Sequence, residues 1–390
     1  MSPDTVKHFA ETDFRGKHTR FGIKRADRQY HMAIVGRTGM GKSTLMETLM
    51  AADIHAGSGF ALLDPHGDTA EAIVKLIPPD RAKDLIYFNP SDPSSALGLN
   101  ILESPGTKKS LVVSGVISVF KKIWSDSWGP RMEHLFRYAL TSLVEVEGTT
   151  LADVARILME KDYRAWILEH VTDATIHEFW RTEYERYGAS FKTEAISPIL
   201  NKTGSFLVNP EIRNVVTKQR SDFDLQQIMQ SGGIFVANLS KGKLGEDGSA
   251  LLGSLLSTKF EFAALSRASI PAEDRRDFYL YVDEFPTLAS ASFTGMLSES
   301  RKYHLSLVLA MQYIEQLEED VRNALFENVG TLIVFRVGPE SARYLAPQFA
   351  PTLSKEDLMN IGRYCVYLKL MIDGMPSKPF SARTLRPWTS

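Results

Sequence analysis

Cysteine is almost absent. The 390-residue chain has one, Cys365, so no internal disulfide can form, and such usage fits a reducing compartment. Long apolar runs are missing as well. No stretch reaches the roughly eighteen residues that read as a membrane helix, and the longest candidate, Leu111 to Phe120, stops at Lys121-Lys122. The opening residues, Met1-Ser2-Pro3-Asp4-Thr5-Val6-Lys7, lack an apolar signal core. An excess of one charge is lacking too. Lysine and arginine total 45 against 47 acidic residues, a net charge of −2. That excludes a strongly basic nucleic-acid binder and confines any nucleic-acid contact to a few local side chains. Together these absences predict a cytoplasmic protein, with any attachment to the inner face of a membrane made through partners. What remains is ordinary globular material, 44% hydrophobic and 24% charged. It is long enough for one elaborated domain or two.

Against this background one segment stands out. Gly36-Arg37-Thr38-Gly39-Met40-Gly41-Lys42-Ser43 fits the G-x-x-x-x-G-K-[ST] phosphate loop at every fixed position. The apolar run Met32-Ala33-Ile34-Val35 before it reads as a buried strand, and Thr44 to Met50 after it reads as a helix. Glycines let backbone N–H groups close around phosphate oxygens, and the helix start adds unpaired donors and a positive dipole end. The segment Gly36 to Thr44 is therefore expected to bind a nucleotide. Lys42 would reach the β- and γ-phosphates and Ser43 would ligate Mg²⁺.

A second constellation completes such a site. Tyr279-Leu280-Tyr281-Val282-Asp283-Glu284 is an apolar strand ending in two carboxylates. Asp283 would hold Mg²⁺ through its water shell, and Glu284 would polarise the attacking water. Neighbouring strand residues point to different sides, which suits that division of labour. Another strand, Leu305 to Ala310, ends at Met311-Gln312, and Gln312 is placed to sense a γ-phosphate. Compact kinases and GTPases keep their two nucleotide motifs much closer together than Lys42 and Asp283. Asn201-Lys202-Thr203-Gly204 matches a guanine-reading motif only at its first two positions, so a GTPase is not indicated.

Short continuous apolar runs recur at 60–63, 85–88, 234–239, 278–282, 305–310, 332–335 and 364–371. Runs of this kind indicate strands covered on both faces. With intervening helices such as Ala250 to Arg267 they predict an α/β fold with a mainly parallel sheet. Between about 106 and 230 the pattern changes to helix-period segments (109–124, 131–146, 151–159, 174–187 and 190–207) and predicts an all-helical insertion domain. The expected organisation is a polar N-terminal arm at 1–29, a nucleotide-binding core at 30–105 and 231–390, and the insertion at 106–230. His66, in Asp64-Pro65-His66-Gly67-Asp68, has no other His or Cys at ligand spacing and is expected to be a turn residue near the nucleotide.

At this point the chain resembles the HerA/FtsK superfamily of DNA-pumping ATPases, and most closely the TraG/TraD-like type IV coupling proteins. The resemblance spans about residues 20–375. It rests on the phosphate loop, Asp64-Pro65-His66-Gly67-Asp68, Trp128-Gly129-Pro130-Arg131-Met132-Glu133, Asn238-Leu239-Ser240-Lys241-Gly242, Val282-Asp283-Glu284-Phe285, Ser300-Arg301-Lys302-Tyr303 and Ala310-Met311-Gln312. It implies a RecA-like core and a hexameric ring with Mg-ATP bound between subunits. It also implies DNA passing through a central pore and a helical domain at the DNA entrance. Arg301, between Glu284 and Gln312, stands where the family often carries an arginine that acts on the neighbouring subunit's nucleotide; Arg336 is a second candidate. Lys241 and Lys243, in a loop after a strand, would meet DNA phosphates. Relaxase or secretion-channel proteins are the implied partners. Two alternatives stay open: a HerA-like motor for DNA end processing or phage defence with a nuclease partner, and an ATP-gated docking module for secretion substrates. The transmembrane pair usual at the family's N-terminus has no counterpart, which points to a soluble relative or a trimmed form.

Overall fold

The computed structural model describes residues 4–13, 16, 18–94, 97–103, 105–290 and 292–387. Their strands, in chain order, are β1 (Val6–Thr12), β2 (Arg20–Lys24), β3 (Met32–Val35), β4 (Gly59–Asp64), β5 (Leu85–Phe88), β6 (Ile234–Asn238), β7 (Phe278–Val282), β8 (Leu305–Met311), β9 (Thr331–Val334), β10 (Cys365–Lys369), β11 (Met371–Ile372), β12 (Met375–Pro376) and β13 (Phe380–Thr384). Eleven of them form one sheet in the order β2-β1-β13-β10-β9-β3-β8-β7-β4-β6-β5, and β11 pairs with β12 in a small hairpin.

The centre of this sheet is parallel. Strand β3 pairs with β8 and β9, β4 with β6 and β7, and β7 with β8, all in parallel register. Each of these six strands is buried along its whole length, which is why their sequences are continuous apolar runs and not alternating ones. Helices such as Lys42–His55 and Asp68–Leu76 close one layer of the core. Parallel strands share one direction, so the residues that follow β3, β4, β7 and β8 all emerge at the same edge of the sheet. In open α/β sheets ligands bind at that carboxyl edge.

The described residues before β3 do not form a separate arm. Strand β1 pairs antiparallel with β2 and with β13, and β13 pairs with β10, so both ends of the chain extend the sheet. Phe9 and Ala10 are fully buried. The segment looks polar because Lys7 lies within it, yet Lys7 is only 4% exposed and pairs with Asp53. A charge neutralised by a partner far along the chain does not mark an exposed tail.

By their internal contacts the residues divide into two compact units. One holds the chain up to Tyr87, Gln226–Asn238 and everything from Arg267 onward; the other holds Phe88–Leu225 and Leu239–Ser266. The second unit thus begins earlier than the expected insertion at 106 and also claims the long helix Glu246–Ser266, which packs on Lys109–Ile123. Its other helices include Pro130–Leu143, Asp153–Met159, Lys161–Glu169, Ala189–Val208 and Pro210–Val216. The expected helix over 174–187 is broken. It starts as Ala174–Glu178, widens to a π turn at Phe179–Glu183 and ends in a 3₁₀ turn at Tyr184–Arg186. The change of register lets Phe179, Trp180 and Tyr184 all point inward. Residues 201–204 lie inside Ala189–Val208, where Thr203 Oγ1 donates to Ile199 O at 2.9 Å. Among the described residues no helix is long and apolar enough to cross a membrane.

Candidate nucleotide site

The phosphate loop leaves β3 and enters the helix Lys42–His55. It is pinned at its base by Gly36 N to Met311 O at 3.1 Å and by Arg37 N to Arg336 O at 2.9 Å. Gly36 is packed so tightly that a Cβ there would lie 2.6 Å from Phe335 Cβ. Gly41, at φ 121°, is the N-cap of the helix, and a Cβ there would lie 2.7 Å from Tyr364 Cδ1. Arg37, Thr38, Gly39 and Ser43 are exposed along the rim. Lys42 is folded back across the loop, its Nζ donating to Gly36 O at 2.7 Å. Burial pulls its pKa below the ordinary lysine value, while Asp283 and Glu284 pull it the other way.

At the ends of β7 and β4 three carboxylates gather. Strand register sets Leu63 beside Val282, so Asp64 and Asp283 follow as neighbours. Asp64 is fully buried; its Oδ1 accepts from His66 N at 2.8 Å and its Oδ2 from Ala70 N at 2.9 Å. It thereby fixes the turn into the helix Asp68–Leu76. Asp283 is 4% exposed. Burial first, then the charge of Asp64, pushes its pKa up to about 6. A carboxylate in that position favours a nearby cation. Glu284 occupies the left-handed region at φ 45°, which is strained for a residue with a side chain and costs about 1–3 kcal/mol. Its Oε1 lies 3.5 Å from His66 Nε2, and this contact raises the histidine's pKa. His66 is therefore a turn residue, as expected, that also reaches the acid pair. Near as these acids are, no three His, Cys, Asp or Glu side chains among the described residues are arranged so that they could hold a metal ion by themselves.

Gln312 follows β8, directly beside the loop. Thr38 Oγ1 donates to Gln312 Oε1 at 2.9 Å, and Gln312 Nε2 donates to Tyr313 OH at 2.7 Å. The end of β8 is thus tied to the phosphate loop. Lys42, Ser43, Asp283, Glu284 and Gln312 share one edge of the sheet. Two further acids belong with them and were not singled out from the sequence as site residues. In the sequence Asp64 reads only as part of a turn. Glu47 lies one helical turn beyond Ser43, and burial, then Asp64, raises its pKa; the i, i+4 spacing was the available signal.

Arg301 is elsewhere. It lies just before β8, at the amino edge of the sheet, with its guanidinium stacked 3.5 Å from the centre of the Tyr30 ring. The length of β8 separates it from Gln312, about 20 Å at strand rise. It cannot serve the phosphate loop of its own chain. Arg336, by contrast, sits beside its own loop through its carbonyl, and its Nε is buried without a hydrogen-bond partner. Lys241 and Lys243 do not lie in an open loop. They belong to a short helix, Lys241–Leu244, whose turn is closed by Gly245 N to Lys241 O at 3.0 Å. Gly242 and Gly245 suggested a loop, but only Gly245, at φ 77°, is used as a helix stop.

The family model for the DNA-binding domain of type IV secretion-system coupling proteins matches residues 17–364. The chain belongs to that family. Solved structures of two kinds, coupling proteins and VirB4, share its fold. The plasmid coupling protein TrwB, in complex with ADP and Mg²⁺, is 16% identical with a TM-score of 0.68, over 99% of this chain and 96% of that one. Unbound TrwBdeltaN70, a bacterial conjugative coupling protein, is 17% identical with a TM-score of 0.66, over 98% and 91%. VirB4 of Thermoanaerobacter pseudethanolicus is 13% identical with a TM-score of 0.66, over 99% and 97%. At these identities the likeness is one of fold, the RecA-like P-loop ATPase class with its large, mostly parallel sheet. A comparison with curated protein sequences gives no match.

Proposed function

We propose that this coupling-protein relative is a Mg-ATP-dependent DNA motor that works as a ring. The observation that carries the reading is the meeting of Lys42, Ser43, Asp283, Glu284 and Gln312 at one sheet edge, with Thr38 bonded to Gln312. The family's DNA-binding description supports DNA as the cargo. Its relative TrwB has been captured with ADP and Mg²⁺, with ADPNP and with GDPNP.

The chemistry follows from the side chains. Backbone N–H groups from Gly39 to Thr44 would receive the phosphates at the helix start. Lys42 would exchange Gly36 O for a phosphate oxygen. Ser43 and Asp283 would hold Mg²⁺, which supplies charge neutralisation and orientation of the phosphates when bound. Glu284 would accept a proton from the attacking water, with Gln312 reporting the γ-phosphate back to the loop through Thr38. Arg301, too far from its own loop, would act in a neighbouring subunit of a ring, most naturally a hexamer. Lys241 and Lys243 would contact DNA phosphates without sequence readout. Relaxase or secretion-channel proteins fit a transfer role, and a nuclease fits an end-processing one.

The test is ATP turnover with and without DNA over a series of salt concentrations. A motor gives turnover stimulated by DNA and a steep loss of stimulation with salt. Lys241→Ala/Lys243→Ala should lower stimulation several-fold and leave basal turnover unchanged. Basal turnover with no DNA response at any salt would favour an ATP-gated docking module instead.

A further inference from the structure

We propose that Arg363 and Tyr364 form the platform on which the base of the bound nucleotide stacks. The proposal rests on the nucleotide reading and extends it, because the loop motif specifies contacts to phosphates alone.

Sheet order gives the direction. Strand β8 flanks β3 on one side, with β7 beyond it, and β9 flanks it on the other, with β10 beyond. The groups assigned to the terminal phosphate and the water, Glu284 and Gln312, lie on the β7–β8 side. A triphosphate that starts there and crosses the loop delivers its sugar and base on the β9–β10 side. Tyr364, immediately before β10, stands on that side against the loop.

Its placement is built. Tyr364 adopts φ 62°, a conformation bulky residues seldom take. It is held there from both directions: its N–H donates to Met40 O at 3.0 Å, and its carbonyl accepts from Thr384 N at 2.9 Å and from Thr384 Oγ1 at 3.2 Å. The result is a ring pressed on Gly41, the cap of the phosphate-binding helix. The guanidinium of Arg363 lies 4.7 Å from the ring centre. Arg363 is exposed and Tyr364 is half-buried. A planar guanidinium layered on an aromatic ring is the kind of surface on which bases stack, and stacking tolerates any base because every base has a π face. The platform therefore adds affinity for a nucleoside triphosphate with little choice between purines.

Removing the base from the ligand separates this role from support of the loop. Binding of ATP, GTP and inorganic tripolyphosphate, each with Mg²⁺, is measured by calorimetry on the full chain and on Tyr364→Leu, Tyr364→Phe and Arg363→Ala. The expected result is a loss of about tenfold in ATP and GTP affinity alike for Tyr364→Leu. A smaller loss is expected for Arg363→Ala, near-wild-type binding for Tyr364→Phe, and tripolyphosphate within twofold throughout. Equal losses for ATP and tripolyphosphate in Tyr364→Leu would overturn the platform and leave Tyr364 as a buttress of the loop. So would unchanged ATP affinity in both Tyr364→Leu and Arg363→Ala. A wild-type chain that binds neither ATP nor tripolyphosphate would instead overturn the nucleotide reading itself. Arg363 is a surface side chain, so its variant remains informative if Tyr364→Leu does not fold.

Discussion

The two edges of the parallel sheet treat charge in opposite ways. At the amino edge, polar groups are paired and enclosed. Asp53, at the end of the helix Lys42–His55, is fully buried and takes Arg28 in a fork, with Nη1 at 2.6 Å and Nη2 at 3.0 Å. It also takes Lys7 and the hydroxyl of Tyr281. Arg28 stacks 3.6 Å from the centre of the Tyr279 ring. Nearby, Asp277 accepts from Arg25 Nε at 2.5 Å and meets His304 Nδ1 at 2.7 Å. At the carboxyl edge, Asp283, Asp64, Glu47 and Glu284 crowd together, and the one buried lysine among them spends its hydrogen bonds on loop carbonyls. The amino edge stabilises the fold. The carboxyl edge holds Asp283 and Glu47 at raised pKa and Glu284 in a strained backbone, an arrangement that a cation and a polyphosphate would relieve.

Mutations at the two edges should therefore separate activity from stability. The largest effect is expected at the carboxyl edge. Lys42→Ala should cut ATP turnover by about 10²–10³-fold and weaken ATP binding, with the thermal midpoint nearly unchanged. Arg301 lies at the amino edge but is assigned to a neighbouring subunit's nucleotide, so Arg301→Ala should also be inactive, and mixing the two variants should return part of the activity, because some interfaces would join an intact loop to an intact Arg301. Turnover assays across mixing ratios, with mixed rings confirmed, decide this; no recovery at any ratio would contradict a role for Arg301 in trans.

Next comes the amino edge. Asp53→Asn leaves two buried cations without their carboxylate and should cost about 3–5 kcal/mol of stability, read as a lower urea midpoint. Turnover per folded molecule should stay near wild type at low temperature. A similar fall in both would erase the distinction between the edges.

A smaller effect concerns His31, which is buried in front of β3. Its Nε2 meets Leu297 O at 3.1 Å and its Nδ1 accepts from Leu307 N at 3.1 Å, an arrangement that requires the neutral ring. Burial lowers its pKa from 6.5 to about 4. Between those values the unfolded chain binds a proton that the folded chain refuses. Stability should thus fall by about 3 kcal/mol as pH drops from 6.5 to about 4. Urea titrations of wild type and His31→Gln across that window isolate the term, since the other titrating groups are common to both. Parallel pH curves would rule it out.

How much of this the sequence disclosed follows from how local each feature is. The phosphate loop and Asp283-Glu284 are contiguous, so chemistry and spacing expose them at once. The central strands are legible because burial on both faces demands unbroken apolar runs. Strands β1, β2 and β13 are not, because they form the charged antiparallel flank of the sheet and lack continuous apolar runs, and the burial of Lys7 depends on Asp53, in a different element. For the same reason Tyr364 could not be connected with Gly41, nor Asp64 with Asp283: each pair is assembled by strand order. Lys241–Leu244 shows the converse, a glycine-containing segment that folds into a helical turn where local composition suggested an open loop.

The central claim is that the carboxyl edge hydrolyses ATP through separate binding and water-activating groups. Glu284→Gln tests it most directly, with ATP affinity and single-turnover hydrolysis measured on the same preparation. The account predicts near-wild-type ATP binding with hydrolysis slowed by about 10²–10⁴-fold, the range of a lost general base. Hydrolysis within a few-fold of wild type would remove Glu284 from that role and contradict the account.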